Sequence, residues 1–167
     1  RVLFRSSRLA HFLIDVGVTQ LQCVVIYGLA QSGMDRANTN LIREALTAVD
    51  SYPLPFVIMG DFNCNPGAIL AEELEARQMA DLRTLHLQLT GQPMPPTCKG
   101  VTTPDMAICS PEVANWVSQV HVCPPGDFDT HQVVTFRLQI PADVQYAQCL
   151  QLPRTWVELN IDSQYIP

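Results

Sequence analysis

Positive charge is scarce in this sequence: it holds one lysine, Lys99, and its formal net charge at pH 7 is −6. A free-standing nucleic-acid binder needs a basic face, because phosphate contacts supply much of its affinity. The composition therefore counts against tight DNA binding by this chain alone. It does not exclude a nuclease, since a metal ion can carry the local positive charge. Charge of either sign is low, at 16%, against 47% hydrophobic residues, a balance that excludes a disordered chain and points to a packed core. Aromatics are few, at 7%, so that core is expected to be aliphatic. No apolar run approaches the ~20 residues that a membrane-crossing helix needs. No CxxC pair occurs among the six cysteines, Cys23, Cys64, Cys98, Cys109, Cys123 and Cys149, so their spacing does not suggest a zinc site. Cys23 and Cys109 sit inside apolar runs and read as small buried hydrophobes, and a reduced, intracellular setting is the expectation.

The first residues also lack an initiator Met and a signal-type apolar stretch. Residues 1–6 back-translate as CGT GTG CTC TTC CGA TCT, a string similar to the end of a common sequencing adapter. They are expected to be a read artefact, and the chain to be truncated. The domain proper is then expected over residues 7–140, with 141–167 a linker or extension.

Residues 10–16 and 18–27 are apolar-rich runs broken at Gly17, as in a hairpin. In the second run Leu21, Cys23, Val25 and Tyr27 share one face. A helix is predicted over 36–50, where Leu41, Ile42, Ala45, Leu46 and Val49 recur at helical spacing, and Pro53 follows its end. Residues 55–59 are wholly apolar, as in a strand covered on both faces. A second helix is predicted over 68–78, with Leu70 and Leu74 inward. Residues 90–103, rich in Pro, Gly and Thr, read as a loop. Strands are predicted at 105–109, 117–123 and 131–140, with a short helix at 111–116 opened by Pro111.

Three segments carry groups suited to chemistry. Gly60-Asp61-Phe62-Asn63 follows a buried strand, whose end holds side chains rigidly. Asp61 and Asn63 alternate, and in an extended segment they project to the same side. A carboxylate beside an amide can deprotonate water and hold a phosphate oxygen. The same residues also suit a turn in which Asp and Asn satisfy backbone amides, and the tetrapeptide alone does not separate the two. Asp105 opens an otherwise apolar strand, a place where Asp often merely caps. His131 opens the last good strand after Asp127 and Asp129, and on its own it reads as an exposed loop histidine. His11, His86 and His121 have no comparable setting.

The ordered set says more than its parts. Tyr27 ends one strand, Asp61 and Asn63 end another, Asp105 opens a third and His131 a fourth. In this order and spacing, residues 9–140 resemble the endonuclease/exonuclease/phosphatase superfamily, which includes apurinic endonucleases, pancreatic-type deoxyribonuclease and retroelement endonucleases. The resemblance implies an α+β fold, a four-layer α/β/β/α sandwich, of which this chain supplies about half. It implies that Tyr27 contacts the phosphate, that Asp61 orients or deprotonates the attacking water, and that Asn63 positions water and phosphate. It further implies that Asp105 hydrogen-bonds His131, whose other nitrogen meets the phosphoryl oxygen. The implied cofactor is Mg²⁺ or Mn²⁺ and the implied partner a nucleic acid or other phosphodiester.

Two departures stand out. The family's residue before the terminal His is Asp; here it is Thr130, and Asp129 lies one place earlier, a shift that turns a strand side chain to the opposite face. The family's metal-binding Glu and early Asn lie upstream of the Tyr strand, yet only twenty-six residues precede Tyr27 and Asp15 is their sole carboxylate. Asp15 has no motif around it and is not assigned as a ligand, so the metal ligands stay unassigned. The leading expectation is a metal-dependent phosphodiesterase, nuclease-like, inactive as this chain and active in a longer parent. A phosphatase acting on a lipid or nucleotide phosphate is the second reading, and a non-catalytic binding module the third. The tail around Trp156 is compatible with a further domain, as in retroelement polyproteins.

Overall fold

In the computed structural model, the structure describes residues 1–5, 7–17, 19–30, 36–64, 66–124 and 130–141. The strands are β1 (Val2–Arg5), β2 (Leu9–Asp15), β3 (Gln20–Tyr27), β4 (Phe56–Asp61), β5 (Ala80–Asp81), β6 (Asp105–Cys109), β7 (Val117–Val122) and β8 (Val134–Leu138). The helices are α1 (Arg36–Asp50), α2 (Pro66–Ala76), α3 (Leu82–Thr90) and α4 (Pro111–Trp116). Six strands form one sheet in the order β1-β2-β3-β4-β6-β5, and β7 pairs with β8 in a second. Only β3 and β4 run parallel in the large sheet, joined through α1.

The two faces of the large sheet carry separate apolar clusters. On one, α1 lays Ile42, Ala45, Leu46 and Val49 against Val24, Ile26, Ile58 and Ile108. On the other, Leu21, Cys23, Val57, Ala107 and Cys109 meet Leu82 and Leu85 of α3, Val113 of α4, and Val117 and Val120 of β7. The layering is thus helix, sheet, then α3, α4 and the second sheet, an α+β arrangement with two packed sheets. The clusters are mostly aliphatic, as the low aromatic content requires. Each fully buried side chain of this size contributes roughly 1.5–3 kcal/mol. Because β3 and β4 lie between two covered faces, they are apolar on both, and their ends are held from above and below.

A buried polar device ties α1 to the sheet. Gln22 is 0% exposed, and its Nε2 donates to the carbonyls of Val49, Tyr52 and Leu54 at 3.0–3.1 Å. Those acceptors include a carbonyl at the end of α1 that has no partner within the helix. Gln22 Oε1 then accepts from Nε2 of His11, 3.1 Å away, the tautomer the network assigns. His11 is itself buried at 2% exposure, and burial lowers its pKa from 6.5, the Gln22 hydrogen bond opposing this in part. With the folded value below the unfolded one, the unfolded chain takes up the proton first, so stability is full above pH 6.5 and declines as pH falls below it. We expect the urea midpoint to fall between pH 7 and pH 5, with a smaller fall in His11→Gln; an equal fall in both would remove His11 as the cause.

Most boundaries match the periodicity. α1, α4 and β6 coincide with the predicted ranges, and β2 and β3 pair antiparallel as the expected hairpin requires. α2 begins two residues earlier than predicted, and Leu74 packs against the α1-side cluster. α3 has no counterpart among the elements expected from the sequence. It is capped at one end by Asp81, whose carboxylate accepts from Thr84 N, and at the other by Gly91 in the left-handed region. The predicted strand 131–140 contracts to β8, and His131 lies outside it in an isolated bridge to Cys98. Residues 142–167 lie outside the described part of the chain.

Candidate active site

Register brings the strand ends together. In the parallel pair Tyr27 lies opposite Asp61, and in the antiparallel pair Asp61 lies opposite Asp105. Residues directly opposite in neighbouring strands share a face, so the three form one row across β3, β4 and β6. The row continues the face that carries Val57 and Ala107. Gly60 makes this possible: an added Cβ would lie 1.9 Å from the carbonyl oxygen of Ile26, and its φ is +144°.

His131 completes the group from a distant part of the chain. Its Nδ1 lies 2.9 and 3.1 Å from the two carboxylate oxygens of Asp105. That contact fixes the proton on Nδ1 and leaves Nε2 as an acceptor. The backbone around it is pinned by two bonds to the 97–99 segment: Gln132 N donates to Thr97 O at 2.7 Å, and Lys99 N donates to Thr130 O at 2.9 Å. Asp61, Asp105 and His131 offer ligand-type atoms that all lie within 4.8 Å of one another. Asp61, Asp105 and His131 also line one cavity of about 420 Å³, whose remaining wall includes Val25, Met59 and Phe136.

Asn63 differs from the expectation of an extended segment. Its φ is +49°, its N–H donates to Asp61 Oδ1 at 3.0 Å, and its Nδ2 donates to Gly28 O at 3.1 Å. The chain turns here, because the amide that would continue β4 closes back on the Asp61 carboxylate. Asn63 therefore lines a neighbouring cavity, also of about 420 Å³, together with Cys64, Arg83, Cys98 and Thr102. Tyr27 is 54% exposed, and the Arg8 guanidinium sits 5.5 Å from its ring centroid. Arg8 also donates to the carbonyls of Tyr27 and Gly28. Asp15 accepts from Gln20 at the opposite end of the hairpin, remote from the row. Asp129 lies outside the described residues.

Several contributors carry no sequence signal of their own. Thr97 is 0% exposed, and its Oγ1 accepts from Asp105 N at 3.3 Å. Asn38, also buried, clamps the turn after β3 by bonding both the N–H and the carbonyl of Leu29. Cys98 places its Sγ 3.8 Å from His131 Nε2. Their partners lie eight, nine and thirty-three positions away, outside their own elements, and the early position of Asn38 in α1 hints at a cap.

The described residues do not by themselves suit a Mg²⁺ ion. That cation requires near-octahedral oxygen donors. Here one of the three groups is an imidazole, and both oxygens of Asp105 are turned to its Nδ1. The cluster is a candidate position for a cation only with further oxygen ligands.

No family model matches the chain, and no curated protein matches it by sequence. Solved structures do. A 3' phosphatase, NExo from Neisseria, bound to a product DNA hairpin, superposes with a TM-score of 0.56 at 15% identity, over 80% of this chain and 65% of that one. The Haemophilus ducreyi cytolethal distending toxin follows at 0.52 and 19% identity, over 78% and 53%. The human Nocturnin catalytic domain with a bound sulfate anion gives 0.50 and 17%, over 77% and 51%. This chain shares its fold with these proteins, a two-sheet α+β arrangement of the kind expected from the resemblance to the endonuclease/exonuclease/phosphatase superfamily. The chain spans about two thirds or less of the length of each of these proteins.

Proposed function

We propose that this chain carries the catalytic row of a phosphodiester hydrolase, nuclease-like in substrate, whose complete site belongs to a longer polypeptide. One observation carries the reading: Asp61, Asp105 and His131 converge within 4.8 Å from three separate parts of the chain, with the Asp105–His131 contact at 2.9 Å. A structural ion pair needs two such groups; a second carboxylate, Asp61, within 4.8 Å of the pair supports a site for chemistry. Similarity of fold to a 3' phosphatase bound to DNA favours a phosphate ester as substrate.

In this reading Asp61 accepts a proton from the attacking water, and its position next to Asn63 N keeps its carboxylate aimed. Asp105 holds the His131 ring so that Nε2 faces the reacting phosphate, and in the doubly protonated ring that nitrogen donates to the oxygen on which negative charge develops. Asn63 and Tyr27 bind phosphate oxygens at the rim. A divalent cation, Mg²⁺ or Mn²⁺, would neutralise the phosphate when bound, with oxygen ligands beyond those described. A phosphatase of nucleotide or lipid phosphates would use the same groups and is separated from the nuclease only by its products.

The test is hydrolysis by an upstream-extended form of the protein, with single-stranded DNA, duplex DNA, RNA and a nucleotide phosphomonoester, each with and without Mg²⁺. Cleavage of a diester that requires the cation supports the proposal. Release of phosphate from the monoester alone favours the phosphatase reading, and no turnover of any substrate contradicts both. Asp105→Asn keeps the shape of the pair but removes the anchor for the Nδ1 proton. We expect it to lower kcat by about 10²–10⁴, by analogy with the cost of a wrong histidine tautomer; retention of full activity would take His131 out of the mechanism.

A further inference from the structure

Beside the His131–Asp105 pair lies a group that hydrolysis does not use. Cys98 Sγ is 3.8 Å from His131 Nε2, on the side of the ring opposite the Asp105 carboxylate. The resulting order of thiol, imidazole and carboxylate is that of an activated nucleophile, in which the base is next to the sulfur and is oriented by a third group. Backbone contacts hold the thiol there. Cys98 bridges Thr102 on one side and His131 on the other, and Lys99 N bonds to Thr130 O at 2.9 Å. Cys98 also opens onto the cavity of about 420 Å³ that it lines with Asn63, Cys64 and Arg83, so a small reagent reaches it.

We propose that Cys98 is a covalent modification site for soft electrophiles, with His131 as its base and Asp105 as the positioning residue. With a haloacetamide, sulfur displaces the halide: the S–C bond forms, the carbon–halogen bond breaks, and the thiol proton passes to His131 Nε2 and on to solvent. With a hydroperoxide, sulfur attacks the outer oxygen, the O–O bond breaks, and the leaving oxygen takes the proton, giving a sulfenic acid and water or an alcohol. The adduct occupies the space in front of His131 Nε2. The inference stands on the geometry of the three side chains and is independent of the hydrolytic reading.

The other cysteines serve as references. Cys23 and Cys109 are buried at 2% and 1% exposure, and burial pushes their thiols up to about 11 and about 12. Cys123 is half-buried, as Cys98 is. The experiment is limited iodoacetamide labelling of the full chain at pH 7, with each cysteine followed by peptide mass spectrometry. Cys98 is expected to react about tenfold faster than Cys123, and its rate to fall about tenfold in His131→Gln with Cys123 unchanged. Protection of Cys23 and Cys109 in the same sample reports that the variant is folded. Should it unfold, Asp105→Asn gives the second reading, in which the Cys98 rate again falls. A Cys98 rate no greater than that of Cys123, or one unaltered in a folded His131→Gln or Asp105→Asn protein, would overturn the proposal.

Discussion

Asp61→Asn is expected to lower phosphodiester hydrolysis by the extended protein by about two to four orders of magnitude, the range for loss of a positioned general base. The substitution keeps the size of the side chain and an oxygen that can accept from Asn63 N, so the turn after β4 survives. What disappears is the capacity to take a proton from water. Exchanging the charged acceptor of that hydrogen bond for a neutral one costs about 1–2 kcal/mol, well within ordinary stability. The comparison is therefore of kcat between two folded proteins, with circular dichroism and the urea midpoint as controls. Activity within a factor of about three of wild type would show that the base lies elsewhere.

The second large effect concerns stability. Gly60→Ala puts a methyl group 1.9 Å from Ile26 O, with Ile26 C and N at 3.0 and 3.1 Å. All three atoms belong to the backbone of the paired strand β3, so no rotamer change relieves the contact. The φ of +144° adds strain for any L side chain. We expect a loss of about 4 kcal/mol or more, large enough to unfold a protein of ordinary stability. Gly100→Ala is the control: its φ is also positive, at +67°, but nothing lies within 4 Å of the added Cβ. That change costs only about 1 kcal/mol. Equal urea midpoints for the two variants would mean that β3 and β4 do not approach as closely as described.

The sequence was most informative where a single element sets the answer. In α1 the apolar spacing alone picks out Leu41, Ile42, Ala45, Leu46 and Val49, of which the last four are buried and Leu41 is half-buried. Alternation in β3 separates the face of Leu21, Cys23 and Tyr27 from that of Val24 and Ile26, and the two apolar clusters divide the buried members in the same way. α3 escaped because it is short and its apolar positions are interrupted by Thr84 and His86, although Asp81 and Gly91 mark its ends. Extension of the 131–140 strand to His131 was wrong for a different reason. His131 pairs with Cys98 rather than continuing β8, and that bridge depends on where residues 97–102 run.

The site follows the same division. That Asp61 ends β4 and Asp105 begins β6 was legible; that the two stand opposite each other depends on register between strands. The turn at Asn63 was one of two readings of the same tetrapeptide; the left-handed φ and the Asp61 cap show the turn, while the Asp61 carboxylate still stands beside Asp105 and His131. Cys98 lay in a segment readable only as a Pro-, Gly- and Thr-rich loop. Its proximity to His131 spans thirty-three positions of sequence and has no local signature.

The most direct test of the catalytic row is hydrolysis in ¹⁸O-labelled water by the extended protein, with the product phosphate examined by mass spectrometry. Water activated beside Asp61 attacks phosphorus, so one labelled oxygen is expected on each new phosphate end, and the rate at which labelled ends appear should fall by about two to four orders of magnitude in Asp61→Asn. Label on the sugar or alcohol fragment instead, or labelled ends appearing equally fast with Asp61→Asn, would contradict the account.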